Sequence, residues 1–388
     1  MVCSSDSDSG YVIHELFRYL GLLIFPVLRE GLALTSKKYI ACVASVLYVF
    51  IAVNIGIWYG VRSVFFKHDL GRMGSIILTD PLTENIHYSK HHTKFADYLA
   101  SGKTESFDVL TIGDSFTNGK DGGSYPDYLV NQYGLKVINA NVKNHCLTGL
   151  YILLNSGILD DIRPKIVILE SVERILQKRL GSYEFIPEDT PIFSRENIAS
   201  AKNTATAARI SSGILPPVFV QWNMTFLQNR IYHILKPEQL STSVYITKLN
   251  RPFFTNPGQE NTLLFYFEDL DYLKHPLNAE MVNQNLNTAA RLLKAKGITL
   301  VFFTAADKYD LYYPYITDKK GRPENHIFQK MREVQGKEYI YIDTLTPLRQ
   351  ALERGEQDIY WLDDTHWSHK GIKIFCDELV KYILPELR

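Results

Sequence analysis

Residues 107–119 read FDVLTIGDSFTNG. The apolar run Phe107 to Ile112 passes straight into Gly113 and a Ser-bearing turn, the pattern of a buried strand leaving a sheet. A parallel strand covered on both faces is a continuous apolar run rather than an alternating one. Runs of this kind recur as IVIL (Ile166 to Leu169), ITLVFF (Ile298 to Phe303) and YIYI (Tyr339 to Ile342), with a shorter strand at Lys136 to Asn139. Helical stretches separate them: Tyr125 to Tyr133, Leu147 to about Leu159, and Ala279 to Lys296. In the last of these Met281, Leu286, Ala289, Leu292 and Leu293 recur at helical spacing, and Gly297 ends the pattern. A final helix starts at Ser368, a good N-cap, and places Ile372, Phe375, Leu379 and Ile383 on one face. Short apolar strands alternating with helices specify a three-layer α/β domain with a mostly parallel sheet.

Outside this core the chain is uneven. Its 388 residues are 46% hydrophobic and 22% charged, enough apolar surface for a folded protein. The 42 Lys plus Arg balance 42 Asp plus Glu, and no basic stripe appears, which argues against a nucleic-acid partner. Between Lys38 and Arg62 lie 23 residues without a charge, YIACVASVLYVFIAVNIGIWYGV. At about 1.5 Å per residue they can cross a hydrocarbon core of roughly 30 Å, so one transmembrane helix is expected over 39–61. The stretch starts too late and runs too long for a cleaved signal peptide. Arg18, Arg29, Lys37 and Lys38 before it, against Arg62, Lys67 and Arg72 after it, favour a cytoplasmic N-terminus and an extracytoplasmic C-terminal part. Residues 1–38 then form a cytoplasmic or interfacial amphipathic segment, 62–106 a membrane-proximal linker, and 107–388 the catalytic domain. An insertion rich in polar and aromatic residues, about 180–273, breaks the strand and helix rhythm.

Cysteine spacing gives no disulfide framework and no zinc motif. Cys146 and Cys376 are either a pair in an oxidising compartment or reduced core thiols. His87, His91 and His92 lack acidic or Cys partners in sequence and are expected in a solvated linker. No metal is expected.

Two motifs carry chemistry. GDSFTNG holds Ser115 at the carboxyl edge of the sheet, where open α/β proteins bind ligands and where amides around Ser115 can face an oxyanion. DDTHWSHKG (Asp363 to Gly371), just before the last helix, offers His366 as a general base and a neighbouring carboxylate to orient it. In a nucleophilic triad His accepts the Ser proton while Asp fixes the imidazole tautomer and stabilises its charged form. Each motif alone has a bland counterpart, an ordinary turn and a helix cap.

Together they resemble the signatures of SGNH (GDSL-like) hydrolases. DTHW (Asp364 to Trp367), ADKYDLY (Ala306 to Tyr312) and LESVERIL (Leu169 to Leu176) are similar to the alginate O-acetyltransferase-like, membrane-anchored SGNH proteins. Departures accompany the resemblance. That group generally places its Asp-x-His motif before Ser, whereas Ser115 precedes His366 here. The usual DxxH spacing selects Asp363 and the DTHW spacing Asp364; chain order favours Asp363. The second-block Gly is replaced by Asn141 or Asn144, and the third-block GxND is absent, with Glu173 and Arg174 in its place. The oxyanion hole is therefore expected to use the Ser115 amide, an amide near Asn141, and a side chain of Asn141, Asn144 or Arg174. Arg174 also has a bland reading, as an ion-pair partner of Glu170 or Glu173. Lys308 and Tyr309, past the end of a strand, are candidates for sugar or uronate contact or for packing, and Trp367 for a place beside the substrate.

The resemblance implies an O-acetyltransferase of a cell-surface or secreted polysaccharide, held in the inner (cytoplasmic) membrane by a single pass with its catalytic domain extracytoplasmic or periplasmic. It implies an acyl-enzyme on Ser115, no cofactor, and an acetyl supply from a multi-span membrane-bound O-acyltransferase. The alternatives are a tethered esterase or deacetylase and a catalytically idle glycan-binding scaffold.

Overall fold

The computed structural model describes residues 36–65, 69–73, 88–118, 124–140, 146–187, 190, 218–319 and 321–388. The chain divides into two units, the second running from Val61 to Arg388. The first is represented by helix α1 (Ser36–Phe65), which extends across the division. Its described side chains, from Ile40 to Gly56, are exposed and mostly apolar; Asn54 is the exception, buried, with its amide donating to the Phe50 carbonyl at 2.8 Å. That stretch covers about 25 Å of helix. Among the described residues no helix is long and apolar enough to cross a membrane.

The second unit opens with a short helical turn, α2 (Asp69–Arg72), strand β1 (Thr93–Lys94) and helix α3 (Phe95–Ser101). The strand and helix alternation then follows: β2 (Val109–Ile112), α4 (Tyr125–Tyr133), β3 (Val137–Asn139), α5 (Cys146–Asn155), α6 (Ile158–Ile162) and β4 (Ile166–Val172). Helix α7 (Val218–Leu235) and the antiparallel hairpin of β5 (Val244–Lys248) and β6 (Thr262–Tyr266) lie in the insertion. After it come α8 (Ala279–Lys294), β7 (Thr299–Ala305), α9 (Lys308–Tyr312), α10 (Ile327–Glu333), β8 (Ile340–Asp343), α11 (Leu345–Glu353) and α12 (His369–Glu386).

Six strands form one parallel sheet in the order β1-β3-β2-β4-β7-β8. The mostly parallel α/β expectation is met. The stretch 62–106, expected as a linker, instead supplies the edge strand β1, paired with Ile138 and Asn139, as well as α2.

Period-two alternation along each strand divides the interior into two cores. Val109, Ile166, Ile168, Val301 and Phe303 pack on one face with Tyr125, Phe375, Leu379 and Ile383. Leu110, Val167, Leu169, Leu300 and Phe302 pack on the other with Leu150, Leu286, Ala289 and Leu293. Each such side chain contributes roughly 1.5–3 kcal/mol on burial. Cys376 and Cys146 belong to these opposite cores and are free, so the reduced-thiol reading holds and the pairing does not. The expected helix over Leu147 to Leu159 divides at Gly157, where φ is +72°.

The chain leaves β2 toward β3 on one side and returns through β4 to the other. The carboxyl ends of the adjacent strands β2 and β4 therefore flank a topological switch point, where a ligand crevice is expected. Ser115 follows β2, and Glu173 and Arg174 follow β4.

Candidate active site

The turn that carries Ser115 is built on a buried carboxyl group. Glu170 lies wholly within β4, and its Oε2 accepts from the Asp114 amide at 2.6 Å and from the Thr117 hydroxyl at 2.9 Å. A Cβ on Gly113 would stand 2.7 Å from the Glu170 Cβ, so this approach requires glycine. Burial, and then the neighbouring Asp114 charge, push the Glu170 carboxyl well above its ordinary value. Asp114 is held below its own by Glu170 and Arg179, against the effect of burial; Arg179 lies 2.8 Å away. The Asp114 carboxylate also accepts from the amides of Phe116 and Val172, each at 3.3 Å, fastening the turn to the end of β4. Ser115 is thereby left exposed. The amides of Asp114, Phe116 and Asn118 are all engaged, whereas the Ser115 amide donates to no described residue.

The second turn precedes α12. Ser368 caps that helix, accepting from Lys370 N at 3.1 Å, and its hydroxyl donates to the Asp358 carbonyl. A Cβ on Gly371 would meet the Ile359 carbonyl oxygen at 2.5 Å, so the helix start can close on residues 358–359 only with glycine there. In this turn His366 Nδ1 lies 2.6 Å from Asp364 Oδ1, and the same oxygen accepts from the His366 amide at 2.9 Å. The carboxylate on the imidazole is thus that of Asp364, not of Asp363, which chain order favoured: a carboxylate two residues back can accept from both the amide and the ring. Asp363 instead offers its carbonyl to the Leu70 amide at 3.1 Å. Burial lowers the His366 pKa, but the Asp364 hydrogen bond and charge, with a smaller contribution from Asp69, outweigh it and leave it raised. His366 Nε2 is buried without a hydrogen-bond partner. The Phe116 ring, next to Ser115 in the chain, lies 4.9 Å from the imidazole, centroid to centroid. The two motifs therefore meet at one edge of the sheet.

Other expected site residues fall differently. Arg174 is largely buried, pairs with Asp307, and lies 3.5 Å from Asp269. Its partners are therefore neither Glu170 nor Glu173, although it remains close enough to lower the His366 pKa. Glu173 is buried, accepting from the Asp307 amide at 2.8 Å and from Asn325 at 2.7 Å. Lys308, only 1% exposed, donates to the carbonyls of Trp361 and Leu362 at 2.8 and 2.7 Å. It steadies the segment entering the Asp363 to His366 turn and is not a sugar contact. The buried Tyr309 donates to the Arg322 carbonyl at 3.0 Å, and Trp367, 3% exposed, packs on Phe116 and Phe375; both are core. Asn141 and Asn144 lie outside the described residues, as does His87. His91 and His92 both approach Asp127, at 3.5 and 2.7 Å, which accounts for them structurally.

One carboxylate had no signal in the sequence. Asp69, in α2, places Oδ2 3.5 Å from His366 Nδ1. Asp69, Asp364 and His366 bring one ligand-type atom each within 4.8 Å of one another. These atoms are already committed, Nδ1 to Asp364 and both Asp69 oxygens to Thr365. An open groove of about 490 Å³ between α11 and α12 is lined by Arg354, Lys370 and Asp377 and contains none of these groups.

A search for relatives among curated proteins gives no match. The turn bearing Asp364 and His366 falls, with the strands and helices around it, within residues 260–386, which match the family model of the SGNH hydrolase-like domain of the acetyltransferase AlgX. Over this stretch, about a third of the chain and C-terminal to Ser115, the chain is similar to that SGNH hydrolase-like domain.

Proposed function

We propose that the protein is a membrane-anchored, extracytoplasmic O-acetyltransferase acting on a cell-surface or secreted polysaccharide. The observation that carries the reading is the state of His366: Nδ1 held by Asp364, Nε2 buried and unpartnered, and the ring against the residue after Ser115. With the proton on Nδ1, Nε2 is the basic nitrogen. It takes the proton of Ser115 as Oγ attacks the carbonyl carbon of an acetyl donor, then returns it to the leaving group. A sugar hydroxyl, deprotonated in turn by Nε2, attacks the acetyl-serine; the new ester leaves and Ser115 recovers its hydrogen. The Ser115 amide is the first oxyanion donor. The family match to an acetyltransferase favours a sugar acceptor over water.

The anchor is read from the sequence, as the apolar run of 23 residues between Lys38 and Arg62; all of it falls within the bounds of α1, whose described side chains extend only from Ile40 to Gly56. It accords with donor groups delivered across the membrane by a multi-span O-acyltransferase. The exposure of Ser115 favours a second reading, a tethered esterase with water as acceptor.

The test uses the full chain in detergent with a chromogenic acetyl ester, then with oligosaccharide acceptors followed by mass spectrometry. Acetylated sugar whose formation is lost in Ser115→Ala supports transfer. Free acetate alone, at every acceptor concentration, supports the esterase. Turnover that survives Ser115→Ala, or none in the wild type, refutes the triad and leaves the scaffold reading.

A further inference from the structure

Asp69 stands 295 positions before Asp364 in the chain, four residues past the end of α1, yet it is built into the histidine turn. It is buried, and its Oδ1 accepts from the Thr365 amide at 2.8 Å while Oδ2 accepts from the Thr365 hydroxyl. Its own amide donates to Asp364 Oδ2 at 3.3 Å, and the next amide, of Leu70, donates to the Asp363 carbonyl at 3.1 Å. Two carboxylates thus flank one imidazole nitrogen, Asp364 at 2.6 Å and Asp69 at 3.5 Å. A clamp on Thr365 needs no charge: an amide side chain can accept from the Thr365 amide at its oxygen and donate its NH2 to the Thr365 hydroxyl, which accepts as readily as it donates. A second buried carboxylate beside Asp364 is unfavourable unless a positive charge forms between them. Protonation of His366 at Nε2 puts that charge there.

We infer that Asp69 is a positioning residue for His366, a second carboxylate that shares with Asp364 the stabilisation of the imidazolium formed when Ser115 loses its proton. The short turn α2 is on this account part of the active site. This rests on the acyl-transfer reading above for its catalytic meaning, and on geometry alone for the electrostatic link. The charged groups that act on His366 are Asp364 from its own turn, Asp69 from α2 and, in the opposite sense, Arg174 after β4; the buried Lys308 in turn feels the charges of both carboxylates.

The test compares wild type, Asp69→Asn, Asp69→Glu and Asp364→Asn as full chains. The His366 imidazole is titrated by NMR with labelled histidine, its signal identified by its loss in His366→Gln, and kcat/KM for acetyl-ester cleavage is followed against pH. Asp69→Asn is expected to lower the His366 pKa by about one pH unit. The acid limb of kcat/KM should move down with it, and the plateau should fall on the order of tenfold as the base weakens. Asp69→Glu should restore much of both. An unchanged His366 titration in a folded Asp69→Asn protein overturns the proposal, as does Asp69→Glu behaving like Asp69→Asn. Absence of Ser115-dependent turnover in the wild type, with the His366 titration still lowered by Asp69→Asn, refutes acyl transfer and leaves the Asp69 link standing.

Discussion

Lys308→Met separates a lysine that holds a loop from one that binds sugar. The ammonium group is enclosed under the rings of Phe254 and Tyr360 and donates to the carbonyls of Trp361 and Leu362. Burial brings its pKa down from 10.5 to about 8, against the opposing charges of Asp363, Asp364, Asp69 and Asp269. The native state therefore releases this proton before the unfolded chain does. Between pH 8 and 10.5 the unfolded state binds more protons, so stability rises with pH across that window. The gap between the two values, at about 1.4 kcal/mol per pH unit, makes the rise about 3 kcal/mol. Methionine removes this dependence. It also leaves two buried carbonyls without a donor, at about 1–3 kcal/mol each. At pH 7 the relief of the buried charge offsets much of that loss, so the net change in stability is expected to be small. The loop entering the Asp363 to His366 turn loses its tie, however, and kcat should fall more than KM rises. Urea denaturation of wild type and variant at several values between pH 7 and 10.5 measures the difference. A pH slope identical in the two proteins, or a rise in KM for the acceptor with kcat intact, would refute the argument and return Lys308 to the substrate.

Four further outcomes follow from the same geometry. Asp364→Asn should lower kcat by on the order of 10³–10⁴ through loss of the imidazole tautomer, with Asp363→Asn much milder; steady-state assays of the two variants check this. Arg174→Met leaves Asp307 and Asp269 buried without their cation and should destabilise by about 3–5 kcal/mol in denaturant titrations. Gly113→Ala forces a methyl group against Glu170 and should reduce stability by about 1–3 kcal/mol and displace Ser115, seen as a loss of ester cleavage. A fragment beginning at Val61 should keep the His366 titration of the full chain, whereas one beginning at Gly74, without Asp69 and the buried Leu70, should titrate lower.

The parallel sheet was legible because both faces of each central strand are covered, so β2, β4 and β7 appear as unbroken apolar runs. The edge strand β1 was not, since the polar pair Thr93 and Lys94 has no such run. At the site, what could be read was local. Asp364 and His366 are two residues apart, and the only open question was which adjacent carboxylate the turn directs at Nδ1; backbone geometry within the turn answers it. Contacts that depend on sheet register could not be read. Arg174 meets Asp307 because Val172 and Ala305 are paired partners at the ends of β4 and β7, a relation that no spacing of 133 residues announces. Lys308 is expected at the site from its place past the end of β7 and Trp367 from adjacency to His366, but neither placement fixes where the side chain points, and both are buried in the core. Asp69 is the furthest case, a single acidic residue in a four-residue helical turn with no periodicity to mark it. The chemistry at His366 nevertheless depends on the register-borne and the local groups alike. Asp364 and Asp69 raise its basicity while burial and Arg174 oppose them. A motif search confined to the Ser115 and Asp-Thr-His turns can find the reacting groups and the carboxylate that does most to raise the His366 pKa, but the burial, Asp69 and Arg174 that adjust it are brought there only by the folded chain.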